Sequence, residues 1–127
     1  MKIGIKGKKS FFVTGDKTAK VVGSGTLEVL ATPMMVAWME NTAASSVTDS
    51  LEYGYTPVGT HITAEHISPT PIGVEVTCES ELIEVNDREL VFKIEAYDEI
   101  KKVGEATHKR MIVNKDRFQK KAETKYQ

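Results

Sequence analysis

Three residues could do nucleophilic or proton-transfer chemistry by type and place: Thr32, Glu40 and His66. Glu40 is the one charged residue in the twenty-residue stretch VLATPMMVAWMENTAASSVT, Val29 to Thr48. Acids and bases are frequent elsewhere in the chain. A hydroxyl, a carboxylate and an imidazole brought together would supply a hydrogen-bonding group, a base or nucleophile, and a proton carrier. Each also has a plainer reading. Thr32 could be a helix cap, Glu40 a structural carboxylate or one left exposed by the small alanines beside it, and His66 a satisfied core histidine.

The first element that must place them is a helix expected from Thr32-Pro33 to about Glu52. Thr is a good N-cap, and Pro fits the first helical turn. Gly54 and Pro57 in YGYTP supply stop signals. The residues three, four and seven positions from Glu40 are Pro33, Val36, Ala37, Ala43, Ala44 and Val47, all apolar. Asn41, Ser45, Thr48 and Asp49 form a separate polar stripe. Glu40 is therefore expected on the apolar side of an amphipathic helix. An unpaired carboxylate there is costly unless it is paired, hydrogen-bonded or protonated, which suits a reacting group. Trp38, Met34, Met35 and Met39 are most simply packing residues.

Beyond the helix the apolar period becomes two. VGTHITAEHISPT reads as a strand with Ile62, Ala64 and His66 on one face and Thr63, Glu65 and Ile67 on the other. His66 then faces the core layer, and His61 faces away from it. VEVTCESELIEV alternates through Val74, Val76, Cys78 and Leu82. RELVFKIEAYDE alternates through Leu90, Phe92, Ile94 and Ala96, after a turn at ND. VGEATHKRMIV closes the series, and SFFVTG is a short strand before the helix. DKTAKVVGSGTLEVLA reads as a loop punctuated by Gly23 and Gly25. This order predicts an α+β fold: one long helix wrapped by a curved antiparallel sheet. Such a layer leaves strand edges and apolar surface that dimerisation would cover.

The chain of 127 residues is read as one domain, 1–127, with 1–9 and 119–127 as flexible ends. A net charge of −1 with interspersed signs speaks against a nucleic-acid binder, which should show a basic stripe. The Lys-rich ends read as solvated rather than as phosphate patches. One cysteine, Cys78, excludes an intrachain disulfide. No run resembles a signal peptide or a membrane span, so a soluble cytoplasmic protein is expected. VGSGTLE is neither a dinucleotide fingerprint nor a phosphate loop, and there is no G-x-S-x-G elbow. One Cys and scattered His have no zinc spacing, so neither metal nor cofactor is expected.

Taken in order, LATPMMVAWMENTA, VGTHITAEHISPTPIGVEVT and GEATHKRMIV resemble the small hot-dog-fold thioesterases related to fluoroacetyl-CoA thioesterase. The likeness runs from about Phe11 to Phe118. It implies Thr32, Glu40 and His66 as a catalytic trio and Gly59 where a substrate carbonyl is held. It also implies a homodimer, open to pairing into tetramers, with acyl-CoA sites at the subunit interface. The loop before Thr32, GSGTLEV, lacks the aromatic residues that the fluoroacetyl-specific relative carries there, and Thr26 lies at about that position. The resemblance therefore does not extend to fluoroacetate selectivity.

The expected activity is hydrolysis of an acyl-CoA with a short or small acyl group, CoA being part of the substrate. Glu40 would attack the thioester to give a mixed anhydride, or deprotonate a water that attacks. Thr32 would hold Glu40 or the water, and His66 would protonate the departing thiolate or orient Glu40. Backbone N–H groups near Gly59 would stabilise the oxyanion. Arg110, in THKR, is a candidate for the CoA phosphates or else a structural arginine. His108 shares its parity. A hot-dog module that binds acyl-CoA without hydrolysing it, and a hydratase acting on enoyl-CoA, are the competing functions.

Overall fold

A computed structural model describes residues 1–127. Its five strands are β1 (Lys6–Phe12), β2 (Tyr55–His66), β3 (Glu75–Asn86), β4 (Glu89–Tyr97) and β5 (Lys102–Asn114). The helices are a single turn, α1 (Ala19–Val22), the long α2 (Thr32–Ser46) and the C-terminal α3 (Lys115–Thr124). All strand pairs are antiparallel, in the order β1-β3-β4-β5-β2. The consecutive strands β3, β4 and β5 form the expected meander, and β1 and β2 are its edges. Pro57, which cannot donate to a ladder, lies on edge strand β2.

The sheet lays one face on α2. Val76, Cys78 and Leu82 of β3 and Leu90, Phe92, Ile94 and Ala96 of β4 are buried, as their alternation predicts. Met35, Trp38, Met39 and Ala43 of α2 complete the same cluster. Full burial of side chains of this size stabilises by about 1.5–3 kcal/mol each. The Trp38 ring stacks on Phe11 of β1, with centroids 4.9 Å apart. At Gly7 of β1 a β-carbon would stand 2.9 Å from the Thr42 carbonyl and 2.7 Å from Ser46 Cβ. Only glycine lets this strand approach the helix so closely.

Four local differences from the sequence reading have physical causes. α2 ends at Ser46 rather than near Glu52. The Ser46 and Thr48 hydroxyls donate back to the carbonyls of Ala43 and Ala44, and Thr48–Ser50 tightens into a 3₁₀ turn. The segment read as a loop contains α1, capped by the Thr18 hydroxyl and closed by Gly23 at φ 92°. β1 starts at Lys6, so residues 6–9, assigned to a flexible end, form ladder pairs with β3. At the other end α3 takes in residues 119–124, capped by Asn114, whose side chain accepts from the Arg117 N–H. No helix is long and apolar enough to cross a membrane.

Candidate active site

Thr32 is not the N-cap of α2. Ala31 holds that place with extended dihedrals, and its carbonyl accepts from the N–H groups of Met34 and Met35. Thr32 is the first helical residue, ahead of Pro33. Released from capping, its hydroxyl meets His66, with Oγ1 to Nδ1 at 2.7 Å. His66 is the last residue of β2 and half-buried on the face shared with Ile62 and Ala64, as expected. Burial pushes its pKa below the ordinary 6.5, so the imidazole is neutral at neutral pH. Its Nε2 is buried and has no hydrogen-bond partner. The pair opens onto a surface cleft lined by Ser24, Val29, Leu30, Ile67 and Pro69.

Glu40 belongs to a second cluster, further along α2. Its Oε2 lies 3.4 Å from Arg110 Nη1 and 3.9 Å from His108 Nε2. Across the ladder Arg110 is the register partner of Gly59. A β-carbon on Gly59 would stand 2.6 Å from Glu40 Oε2 and 3.3 Å from Arg110 Nη1. The carboxylate therefore comes close to the β2 backbone only because that residue has no side chain. Just beyond it, the β2–β5 register slips between Gly59 and His61. Such a bulge re-aims the strand at this point.

One expectation about this cluster is corrected, and of the two readings of Arg110 the geometry fits the structural one. Glu40 is not sealed in an apolar face: its side chain is 37% exposed and has an arginine partner. Beside it on α2, Pro33 and Ala37 are exposed, and Val36 and Ala44 are half-buried. The buried stripe of the helix is Met35, Trp38, Met39, Thr42 and Ala43, so among the neighbours of Glu40 only Ala43, and Val47 just past the helix, are buried. Arg110 presents no free fork for phosphate. Its side chain is 11% exposed, and Nη2 donates to the Pro57 carbonyl at 2.8 Å. Burial pulls its pKa below the ordinary arginine range, while Glu40 opposes that shift. The guanidinium remains charged.

The sequence reading left His108 undecided and gave it no role. It is 1% exposed and sits between Arg110 and the carbonyl of His61. Its parity with buried Ala106 was the available signal. His61 has an exposed side chain, as expected, and contributes only its backbone. Cys78 is a core residue whose thiol is pushed up to about 11 by burial, so it is no nucleophile. No group of three or more His, Cys, Asp and Glu side chains converges as a metal site.

The structure thus brings Thr32 to His66, and Glu40 to Gly59, His108 and Arg110. It does not bring the first pair to Glu40 within one chain. Thr32 and Glu40 are eight residues apart on α2, a rise of about 12 Å.

A family model described as fluoroacetyl-CoA-specific thioesterase, FlK, matches residues 13–116. The chain is 35% identical over 98 residues to the fluoroacetyl-CoA thioesterase of Streptantibioticus cattleyicolor, covering 77% of this chain and 70% of that protein. A solved structure of the fluoroacetyl-CoA thioesterase FlK superposes with a TM-score of 0.93 at 30% identity, over 98% of this chain and 97% of that one. A variant of FlK in complex with fluoroacetate and CoA gives 0.88 at 31% identity, over 93% and 99%. A thioesterase superfamily member from Thermus thermophilus, 21% identical, shares the fold at a TM-score of 0.89, over 98% of this chain and 95% of that one. Sequence and fold agree: the chain is a hot-dog thioester hydrolase that belongs to the fluoroacetyl-CoA-specific thioesterase family.

Proposed function

We propose that this enzyme hydrolyses a CoA thioester with a small acyl group, at sites built from two copies of the chain, with Glu40 as the carboxylate that attacks or activates water. The observation that carries this reading is the approach of Glu40 Oε2 to the β2 backbone at Gly59, where a β-carbon would be 2.6 Å away. A thioester carbonyl laid along that backbone would meet N–H donors and a carboxylate together.

The geometry of α2 supports the two-copy reading. Two groups about 12 Å apart along one helix cannot both touch one carbonyl carbon. The exposed face of α2 around Pro33, Ala37 and Glu40 is apolar apart from the carboxylate itself. Packing that face on its copy about a two-fold axis sets the start of one helix against the middle of the other. Thr32 and His66 of one copy then stand beside Glu40 of the second. Closure of the interface also removes water from Glu40, which strengthens its electrostatic interactions.

Two routes share this geometry. Glu40 adds to the carbonyl and expels CoA thiolate, and water then opens the anhydride. Alternatively, Glu40 takes a proton from a water that attacks directly. In both, Thr32 holds the imidazole through Nδ1, and the neutral ring steadies the departing sulfur by a hydrogen bond from its Nε2–H; the sulfur leaves as thiolate in the first route and takes the proton that Glu40 drew from water in the second. No cofactor is needed: CoA enters as part of the substrate. The cleft beside the Thr32–His66 pair is lined without aromatic side chains. That favours small acyl groups in general over fluoroacetyl in particular.

The test is release of free thiol from a panel of acyl-CoAs, from acetyl and fluoroacetyl to long-chain, by wild type and Glu40→Gln. Turnover of short esters that disappears in the variant, with CoA-ester binding intact, is the expected result. A variant as active as wild type would remove Glu40 from the chemistry.

A further inference from the structure

We propose that His108 is a positioning residue: its neutral imidazole ties the β2 bulge beside Gly59 to the Arg110 guanidinium and so fixes where the Glu40 carboxylate stands. This rests on the reading of Glu40 as the reacting carboxylate.

The partners of the ring dictate its state. Nδ1 lies 2.8 Å from the carbonyl oxygen of His61, which can only accept, so Nδ1 carries the proton. Nε2 lies 3.1 Å from Arg110 Nη1, which can only donate, so Nε2 offers its lone pair. A proton on Nε2 would be driven against the guanidinium. Burial acts in the same direction as Arg110, lowering the pKa of His108, while the His61 carbonyl and Glu40 act against it. Phe92 of β4 stacks on the ring at 6.3 Å and holds its plane.

The consequence is mechanical. Arg110 is gripped by three acceptors on three elements: Glu40 of α2, His108 of β5 and the Pro57 carbonyl of β2. Pro57 and His61 flank Gly59, and His108 links the second of them to the same guanidinium. The imidazole thereby sets the distance between the bulge and the arginine. Its removal leaves the His61 carbonyl unpaired and frees Nη1 to draw Glu40 away from Gly59.

The experiment compares His108→Gln, His108→Phe and Glu40→Gln with wild type, measuring kcat and KM on the best short acyl-CoA. Gln has an amide N–H for the His61 carbonyl and a carbonyl for Arg110, so it should keep kcat within about threefold. Phe offers neither and should lower kcat by about 10–100-fold with KM within about threefold. The ¹⁵N shifts of His108 at neutral pH should show a protonated Nδ1 and an unprotonated Nε2. Three results would overturn the proposal: a Phe variant with wild-type kcat, a folded Gln variant losing more than about tenfold, or a proton on Nε2. If the Phe variant does not fold, the Gln variant and the tautomer decide. Loss in Glu40→Gln with a fully active Phe variant would sink this inference and leave the functional reading standing. A fully active Glu40→Gln would sink both.

Discussion

Thr32 Oγ1 lies 2.7 Å from His66 Nδ1, joining the first residue of α2 to the last residue of β2. With Nδ1 held, the buried Nε2 is the nitrogen left to act. Thr32→Val keeps the shape and removes the hydroxyl. It should lower kcat by about 10–100-fold, the range for a misplaced acid–base group, with KM little changed. Thr32→Ser keeps the hydroxyl and should lose much less. Steady-state kinetics of both variants check this, and a Val variant at the wild-type rate would show that the contact is only structural.

Gly59 offers a sharper test, because the group its substitution meets is known. In Gly59→Ala the β-carbon lands 2.6 Å from Glu40 Oε2 and 3.4 Å from His108 Cε1. The carboxylate, at the end of a flexible side chain, is what moves. Activity should fall by about tenfold or more, while stability stays within about 1 kcal/mol of wild type. Thermal unfolding alongside kinetics separates the two effects. Equal activity would mean that the approach of Glu40 to the strand is not used in turnover.

How far these relationships were legible in the sequence depends on their range. Alternation placed Val76, Cys78 and Leu82, and Leu90, Phe92 and Ile94, on the buried face, and it turned His66 toward the helix. Those are properties of single strands. The partner of Glu40 was not legible, because Arg110 is 70 residues away and reaches it through the β2–β5 pairing. That pairing also carries the slip between Gly59 and His61, which a strict two-residue period does not show. The polar side of α2 was read correctly at Asn41 and Ser45, but its apolar residues divide into two faces. Met35, Trp38 and Met39 face the sheet, while Pro33 and Ala37 stay open beside Glu40. Periodicity sees apolar character and does not distinguish a surface facing the core from one left open.

The two neutral imidazoles should make stability depend on pH in a defined window. Burial lowers the pKa of both His66 and His108 in the folded chain from the ordinary 6.5. Below about 6.5 the unfolded chain takes up protons that the folded chain refuses, so unfolding is favoured as pH falls. Above that value both states are neutral at these sites, and the effect vanishes. Urea unfolding should therefore show constant stability from these groups above about pH 7 and a decline from about pH 6.5 downward. His108→Gln should remove part of that decline. A His108→Gln profile parallel to wild type across the window would show that His108 is not the group responsible.

If each site takes Thr32 and His66 from one copy and Glu40 from another, two inactive variants should repair each other. Consider Thr32→Val and Glu40→Gln mixed in equal amounts and allowed to exchange subunits. Random pairing makes about half of the dimers mixed. In a mixed dimer one site carries both substitutions. The other joins the intact Thr32–His66 pair of the Gln subunit to the intact Glu40 of the Val subunit. About a quarter of wild-type activity should return. If each chain instead supplied its own complete site, every site in the mixture would carry one substitution, and no activity beyond the average of the two variants would appear. Sedimentation of the same mixture confirms that dimers formed, and co-purification of the untagged variant with an affinity-tagged partner variant confirms that subunits exchanged. A dimer that exchanges without recovering activity would place the whole site within one copy. The Thr32–His66 pair and Glu40 would then have to act on different parts of the substrate.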